Sequence, residues 1–295
     1  MHRSYLLQVT LLLCLTCCLG LSQQCASGAE IPFRQGVGGR VGLHTISAVD
    51  SLVELAWRND VGYNEITAAN PGVDPFDPEE GLSVTIPGRW ILPDVPRRKG
   101  IVINLAEMRL YFFHSRNGDL VDTFPIGIGD EGWDTPTGTY RITEKIVNPA
   151  WHVPASIRAQ KPELPAIVPP GPDNPLGSHA LRLSIDTVLI HGTDHPYGIG
   201  RRVSHGCIHL YPKDIVRLFK KVKLGTTVTI VRQQVKATVA DGRALVEIHR
   251  NGTDDVYPEA LELLKKRGAT AAVDLVKLVA AVLANSGMPT DVTRE

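Results

Sequence analysis

From residue 100 onward the chain is a succession of short runs rich in β-branched and aromatic residues. These lie at 101–105, 109–113, 120–126, 138–144, 181–184, 188–191 and 226–231. Runs of this length, separated by turns such as Asn117-Gly118, specify strands, so the expected core is an all-β sandwich or barrel. One stretch interrupts the series. Between 148 and 177, Pro154, Pro162, Pro165, Pro169, Pro170, Pro172 and Pro175 would each remove a backbone donor, and a long, stiff loop without regular elements is expected. Trp151, Ile157 and Leu164 give that loop something to pack with, either as the wall of a substrate groove or as a plain connector.

The flanks read differently. An apolar run at 5–21, preceded by Met-His-Arg and followed by Ala26-Ser27-Gly28-Ala29, has the pattern of a cleaved secretory signal over 1–29, with a membrane anchor as the alternative. Residues 28–42 are Gly-rich and aperiodic and read as a linker. A small α+β unit then spans 43–92. Asp50-Ser51 offers a helix cap before Leu52, Val53, Leu55, Ala56 and Trp57, a second short helix runs 64–70 up to Pro71-Gly72, and a strand at 82–87 closes the unit. The segment 98–232 holds the strand series. In 233–295, a hairpin at 236–248 turning on Asp241-Gly242 precedes two helices, 258–267 and 271–284. The second helix offers Val273, Leu275, Val276, Leu278 and Val279 as an apolar face.

Thirty-one Lys and Arg residues balance 31 Asp and Glu, so neither nucleic acid nor an electrostatically bound membrane is an expected partner. Cysteine usage says more. Cys14, Cys17, Cys18 and Cys25 would leave with the signal, and the remaining Cys207 has no partner for a structural disulfide. Cys207 lies in the densest reactive cluster of the chain, with His191, His195, His205 and His209. Three readings fit this cluster. Cys207 is a nucleophile with His191 as its base, or it binds zinc together with histidines, or the histidines are loop residues with no joint role. Ser204-His205-Gly206-Cys207 has the composition of a tight turn that can aim successive amides at an oxyanion. Arg201 and Arg202 add charge suited to a carboxylate.

His191-Gly192-Thr193, followed by Ser204-His205-Gly206-Cys207, resembles the signature of the L,D-transpeptidase (YkuD-type) catalytic domain. Further similarity runs through 126–129, 132–138 and 170–177. The unit at 43–92 resembles a LysM peptidoglycan-binding module through Asp50-Ser51-Leu52, Ala69-Asn70-Pro71 and 82–87. Together they are similar to periplasmic enzymes of Gram-negative bacteria that cross-link the wall or attach a lipoprotein to it. The resemblance implies a mainly β chain, with a β-sandwich catalytic domain, a small N-terminal module and a short helical C-terminal tail. It implies Cys207 as nucleophile, His191 as base, Gly192 as its orienter, His205 as a supporting residue, and the amides of His205, Gly206 and Cys207 as the oxyanion hole. Ser204, Thr193, Arg201, Arg202 and His209 are the expected substrate contacts, with neither metal nor organic cofactor.

The implied reaction attacks the diaminopimelate carbonyl of a tetrapeptide stem, releases D-alanine, and passes the acyl group to an amine. That amine belongs to another stem or to an outer-membrane lipoprotein lysine, or water takes its place. A wall-binding scaffold with an inactive second domain is the alternative. One position departs from the pattern. The family most often has arginine or asparagine two residues after the cysteine, and this chain has His209.

Overall fold

The computed structural model describes residues 30–114, 120–250 and 254–295. The signal-peptide expectation for 1–29 and the Asn117-Gly118 turn lie outside the described residues. The chain opens with β1 (Ile31–Arg34) and β2 (Val37–Gly39), then β3 (Gly42–Thr45), α1 (Leu52–Arg58), α2 (Tyr63–Ala69), β4 (Ser83–Ile86) and β5 (Arg89–Ile91). The strand-rich segment holds β6 (Gly100–Asn104), β7 (Arg109–Phe113), β8 (Leu120–Pro125), β9 (Ile128–Gly129), β10 (Gly138–Val147) and β11 (Trp151–His152). It continues with α3 (Ala155–Gln160), β12 (Ile167–Val168), β13 (His179–Leu183), β14 (Leu189–His191), β15 (Arg202–Ser204), β16 (Ile208–His209), α4 (Pro212–Lys221) and β17 (Thr227–Val231). The C-terminal unit comprises β18 (Val235–Ala240), β19 (Arg243–Ile248), α5 (Tyr257–Lys266), α6 (Leu275–Ala284) and β20 (Thr290–Asp291).

The mainly β expectation holds. Strand β10 is the corner of the structure. Its first half pairs with β17 and its second half with β13, and a register shift between Ile142 and Glu144 bends it from one sheet into the other. The β17-β6-β7-β8 half and the β13-β14-β16 half thereby close over one core. Ile101, Ile103, Leu110, Phe112 and Phe124 meet Leu181, Leu183, Ile190 and Ile208 there, with Ile215 and Leu218 of α4 beside them.

The central strands are apolar on both faces. Along β7, Leu110 and Phe112 enter that core, while Tyr111 and Phe113 face a second one with Leu52, Leu55, Ile66, Val84 and Trp90 of the N-terminal unit. A bidentate ion pair fixes the junction. Fully buried Arg109 donates through Nε and Nη2 to Glu65 of α2 at 2.8 and 2.6 Å, and through Nη1 to Thr123 Oγ1 at 2.7 Å. Trp90 Nε1 and the Gly62 amide complete the Glu65 carboxylate, at 2.9 and 2.6 Å. Within this unit Ser51 caps α1 as expected, its Oγ accepting from the Glu54 amide at 3.1 Å.

Three expectations are corrected. Residues 28–42 are not a linker where described, because β1 pairs with β8 and β2 with β5, extending the main sheet. The proline-rich stretch does contain regular elements, a short β11–β12 ladder and α3, since its prolines bound these elements rather than interrupt them. The C-terminal tail is a unit with its own core, in which β20 adds a third strand to the hairpin. The Asp241-Gly242 turn is as read, both residues having positive φ (50° and 74°). Of the apolar face read on α6, Leu278 is buried while Leu275, Val276 and Val279 are exposed.

Lys236 anchors the C-terminal unit. Its buried ammonium donates to Ile91 O at 2.7 Å and pairs with Glu107 at 2.5 Å and Glu247 at 2.7 Å. No helix among the described residues is long and apolar enough to cross a membrane.

Candidate active site

His191 ends β14, and Cys207 immediately precedes β16, which runs parallel beside it with Ile190 opposite Ile208 and His191 opposite His209. Ile190 and Ile208 enter the core, so alternation turns Leu189, His191, Cys207 and His209 to the other face. Cys207 and His191 are diagonal neighbours on that face. With strands about 4.8 Å apart and a rise of about 3.3 Å per residue, their Cα atoms lie about 8 Å apart.

The turn before the thiol is held by its carbonyls. Gly206 has φ of 98°, the left-handed region where a Cβ is costly, although a Cβ there would meet nothing closer than 3.6 Å. The buried Thr135 hydroxyl donates to Gly206 O at 3.0 Å and accepts from the Gly129 amide at 3.1 Å. Ser204 Oγ donates to Cys207 O at 2.6 Å, and the Asp130 amide donates to Ser204 O at 2.8 Å. In a trans peptide the N–H points opposite to the C=O. Pinning Gly206 O on Thr135 therefore fixes the Cys207 amide pointing the opposite way, away from the Thr135 hydroxyl.

His191 is held in one tautomer. Its Nδ1 lies 2.7 Å from Gly192 O, which can only accept, so Nδ1 carries the proton and Nε2 keeps a lone pair. Burial pushes the imidazole down to about 4, against a weaker upward pull from the Gly192 carbonyl, so the ring is neutral at pH 7. Burial also raises the Cys207 thiol, partly offset by a hydrogen bond from the Leu189 backbone and by the charge of Arg182. Burial thus disfavours the charged form of each group. Gly192 packs against Gly177, where a Cβ would stand 2.9 Å from the Thr193 amide. This close approach seats the end of the proline-rich stretch against the base.

Cys207 opens into a cavity of about 660 Å³ whose walls include Trp133, Trp151, Ile157, Arg182, Leu189 and His205. The proline-rich stretch supplies one wall, in keeping with the groove reading. A separate cavity of about 460 Å³ lies between β1–β2, β5 and α4 and contains neither the thiol nor a histidine.

The expected site residues divide. Cys207, Gly206 and His205 line the large cavity, His205 with its ring centroid 4.8 Å from that of Trp133. His191 and Gly192 are buried and do not line it. Four expected substrate contacts are differently occupied. Ser204 is buried and locks the turn, and buried Thr193 accepts from the His195 amide at 2.9 Å. Arg201 stacks on Tyr63 of α2, 3.6 Å from the ring centroid, and so joins the two units. His209 stacks on His191 with centroids 4.4 Å apart, and burial holds it well below the usual histidine range. Arg202 pairs at 2.7 Å with Asp134, which does line the cavity.

The zinc reading has no gathered ligand set, because His195 is exposed and paired with Asp194 at 2.7 Å while His205 faces Trp133. Glu107, Glu247 and His249 are the one group of metal-type ligands close together among the described residues, and the Lys236 ammonium contacts two of them. Sequence reasoning missed the positions of Thr135 and Arg182. Thr135 lay inside a motif quoted only for similarity, and Arg182 inside a run read only as a strand.

Comparison with known proteins agrees with this geometry. Residues 98–230 match the family model described as the L,D-transpeptidase catalytic domain, YkuD. The chain is 42% identical over 260 residues to the probable L,D-transpeptidase YcfS of Escherichia coli K12, spanning 83% of this chain and 81% of that one. It is 42% identical over 253 residues to the probable L,D-transpeptidase YbiS of the same strain, covering 81% and 82%. To the probable L,D-transpeptidase ErfK/SrfK of that strain it is 40% identical over 247 residues, covering 79% of each.

Proposed function

The chain belongs to the L,D-transpeptidase family, and from that membership we propose that it joins peptidoglycan stem peptides to an amine acceptor through a thioester on Cys207. The observation that carries this reading is the placement of a cavity-lining thiol on one sheet face with an imidazole whose Nδ1 is committed to Gly192 O. As Sγ attacks the diaminopimelate carbonyl of a tetrapeptide stem, His191 Nε2 takes the thiol proton. The S–C bond forms, and negative charge develops on the carbonyl oxygen, where the amides of the 205–207 turn meet it. The C–N bond to D-alanine then breaks, and His191 returns the proton to the departing amine. In the second half an acceptor amine attacks the thioester, loses its proton to His191, and expels the sulfur, which is reprotonated. A second stem or the lysine of an outer-membrane lipoprotein supplies that amine, whereas water would make the enzyme a carboxypeptidase. No step calls for a metal or organic cofactor.

The segment 43–92 fits the role of a LysM-like module holding the wall glycan, with the catalytic segment 98–232 docked on it. An exported, periplasmic enzyme fits a wall substrate. The test is to incubate the protein with tetrapeptide muropeptides and follow D-alanine release and the mass of the Cys207 adduct. Cys207→Ala should abolish both. Release of D-alanine by that variant would refute the assignment, and retention on sacculi without turnover would favour a scaffold.

A further inference from the structure

We infer that Arg182 is the substrate-carboxylate receptor of this site, holding a free carboxylate of the donor stem peptide beside the scissile carbonyl. The inference rests on the function proposed above and names a specificity determinant within it.

Register places the residue. Glu144 of β10 pairs with Arg182 of β13, Arg182 pairs with Leu189 of β14, and the parallel β14–β16 register continues that line to Cys207. Leu181 and Leu183 enter the core, so Arg182 faces the opposite way, into the cavity that it lines together with Leu189 and Cys207. Two strand spacings put the Arg182 and Cys207 Cα atoms about 10 Å apart. An arginine side chain covers most of that distance, and the Arg182 charge reaches the thiol.

The guanidinium is half committed. Nε donates to Glu144 Oε2 at 2.8 Å, which fixes the plane of the group, while no described residue accepts from Nη1 or Nη2. Its side chain keeps 39% of its surface exposed. Two coplanar donors at one end of an anchored guanidinium match the two oxygens of a carboxylate. The competing cations are spent elsewhere or lie off the cavity. Arg201 stacks on Tyr63, Arg202 is paired with Asp134, and His209 is packed on His191 and neutral. Among the described residues, Arg182 is the one arginine or lysine lining this cavity. A tetrapeptide stem carries both a C-terminal carboxylate and side-chain carboxylates, and either presents the same chemistry to the fork.

The experiment compares wild type with Arg182→Gln and Arg182→Lys on three stems: fully free, amidated at the C-terminus, and amidated on the side chain. Wild type should lose about tenfold to a hundredfold in kcat/KM, through KM, on the stem whose contacted carboxylate is amidated, and that stem identifies the carboxylate. Arg182→Gln should show the same loss on the free stem and no further loss on that amidated one. Arg182→Lys should recover part of the discrimination. Equal discrimination by wild type and Arg182→Gln would overturn the proposal, as would a wild type indifferent to both amidations. Absence of D-alanine release by wild type on the free stem would instead refute the function proposed above. Thermal unfolding of Arg182→Gln should stay near wild type, because the Arg182–Glu144 pair is exposed.

Discussion

Replacing Thr135 by Val separates the geometry of the turn from the reactivity of the thiol. Valine keeps the shape and opens no cavity, but it removes the hydroxyl that joins the Gly129 amide to Gly206 O, a carbonyl 71 positions further along the chain than Thr135. Two buried backbone groups lose their partner, each at a cost of about 1–3 kcal/mol, so unfolding should be easier by about 2–6 kcal/mol. The larger effect should appear in chemistry. Once Gly206 O is released, the peptide between Gly206 and Cys207 can rotate, and the Cys207 amide no longer points steadily at the developing oxyanion. Loss of one such donor typically lowers the rate about 10²- to 10³-fold. The assay is acyl-enzyme formation followed by mass, run in parallel with alkylation of Cys207 by iodoacetamide. Alkylation needs the thiol and the base but forms no oxyanion. Thr135→Val should therefore acylate slowly and alkylate at close to the wild-type rate, and Thr135→Ser should restore acylation. Acylation by Thr135→Val within about twofold of wild type, or an equal fall in alkylation, would refute the reasoning.

Three further outcomes follow from the same geometry. His191 is depressed by burial from 6.5 to about 4, so the unfolded chain takes up a proton between these values that the native state refuses. Stability should fall as pH drops through that window, by on the order of 3 kcal/mol from this group; His191→Gln should flatten that part of a urea-unfolding profile, and the acidic limb of kcat/KM should lie near 4 rather than 6.5. Arg109→Met leaves the buried Glu65 carboxylate without its counter-ion and should destabilise the chain by about 3–5 kcal/mol, visible as a lower urea midpoint with an unchanged slope. Gly206→Ala places a Cβ at a φ of 98° without a steric clash, so it should cost only about 1–3 kcal/mol in stability yet sharply reduce acylation, which paired unfolding and acylation measurements would check.

What could be read in the sequence was what local pattern encodes. The aromatic-rich run at 109–113 marked β7 to the residue, and Asp241-Gly242 marked the 236–248 hairpin, because both signals lie in consecutive side chains. Strands β1 and β2 carried no such signal. Three of the four residues at 36–39 are glycine, and these strands exist through pairing with β8 and β5, contacts remote in sequence. The site followed the same division. The thiol, the histidine and the glycine turn lie within nineteen positions and were found together. The substrate contacts were sought among neighbours in that segment, and charge in sequence pointed to Arg201 and Arg202, which tertiary structure commits to Tyr63 and Asp134. Arg182 reaches the thiol through a line across three strands that only register reveals. Thr135 reaches the turn from a distant loop by a single hydroxyl.

The β6–β7–β8 strands, apolar on both faces, also bear on how this chain can be divided. A fragment limited to 98–232 would keep its catalytic core but lay bare Val102, Tyr111, Phe113 and Val121 as one sticky wall, and would strand the Arg109 cation beneath it. Excised pieces would therefore be poor proxies for the parent. Boundaries that look modular along the sequence enclose a single folding unit, and any shuffling of the N-terminal part among relatives must carry its half of that wall along.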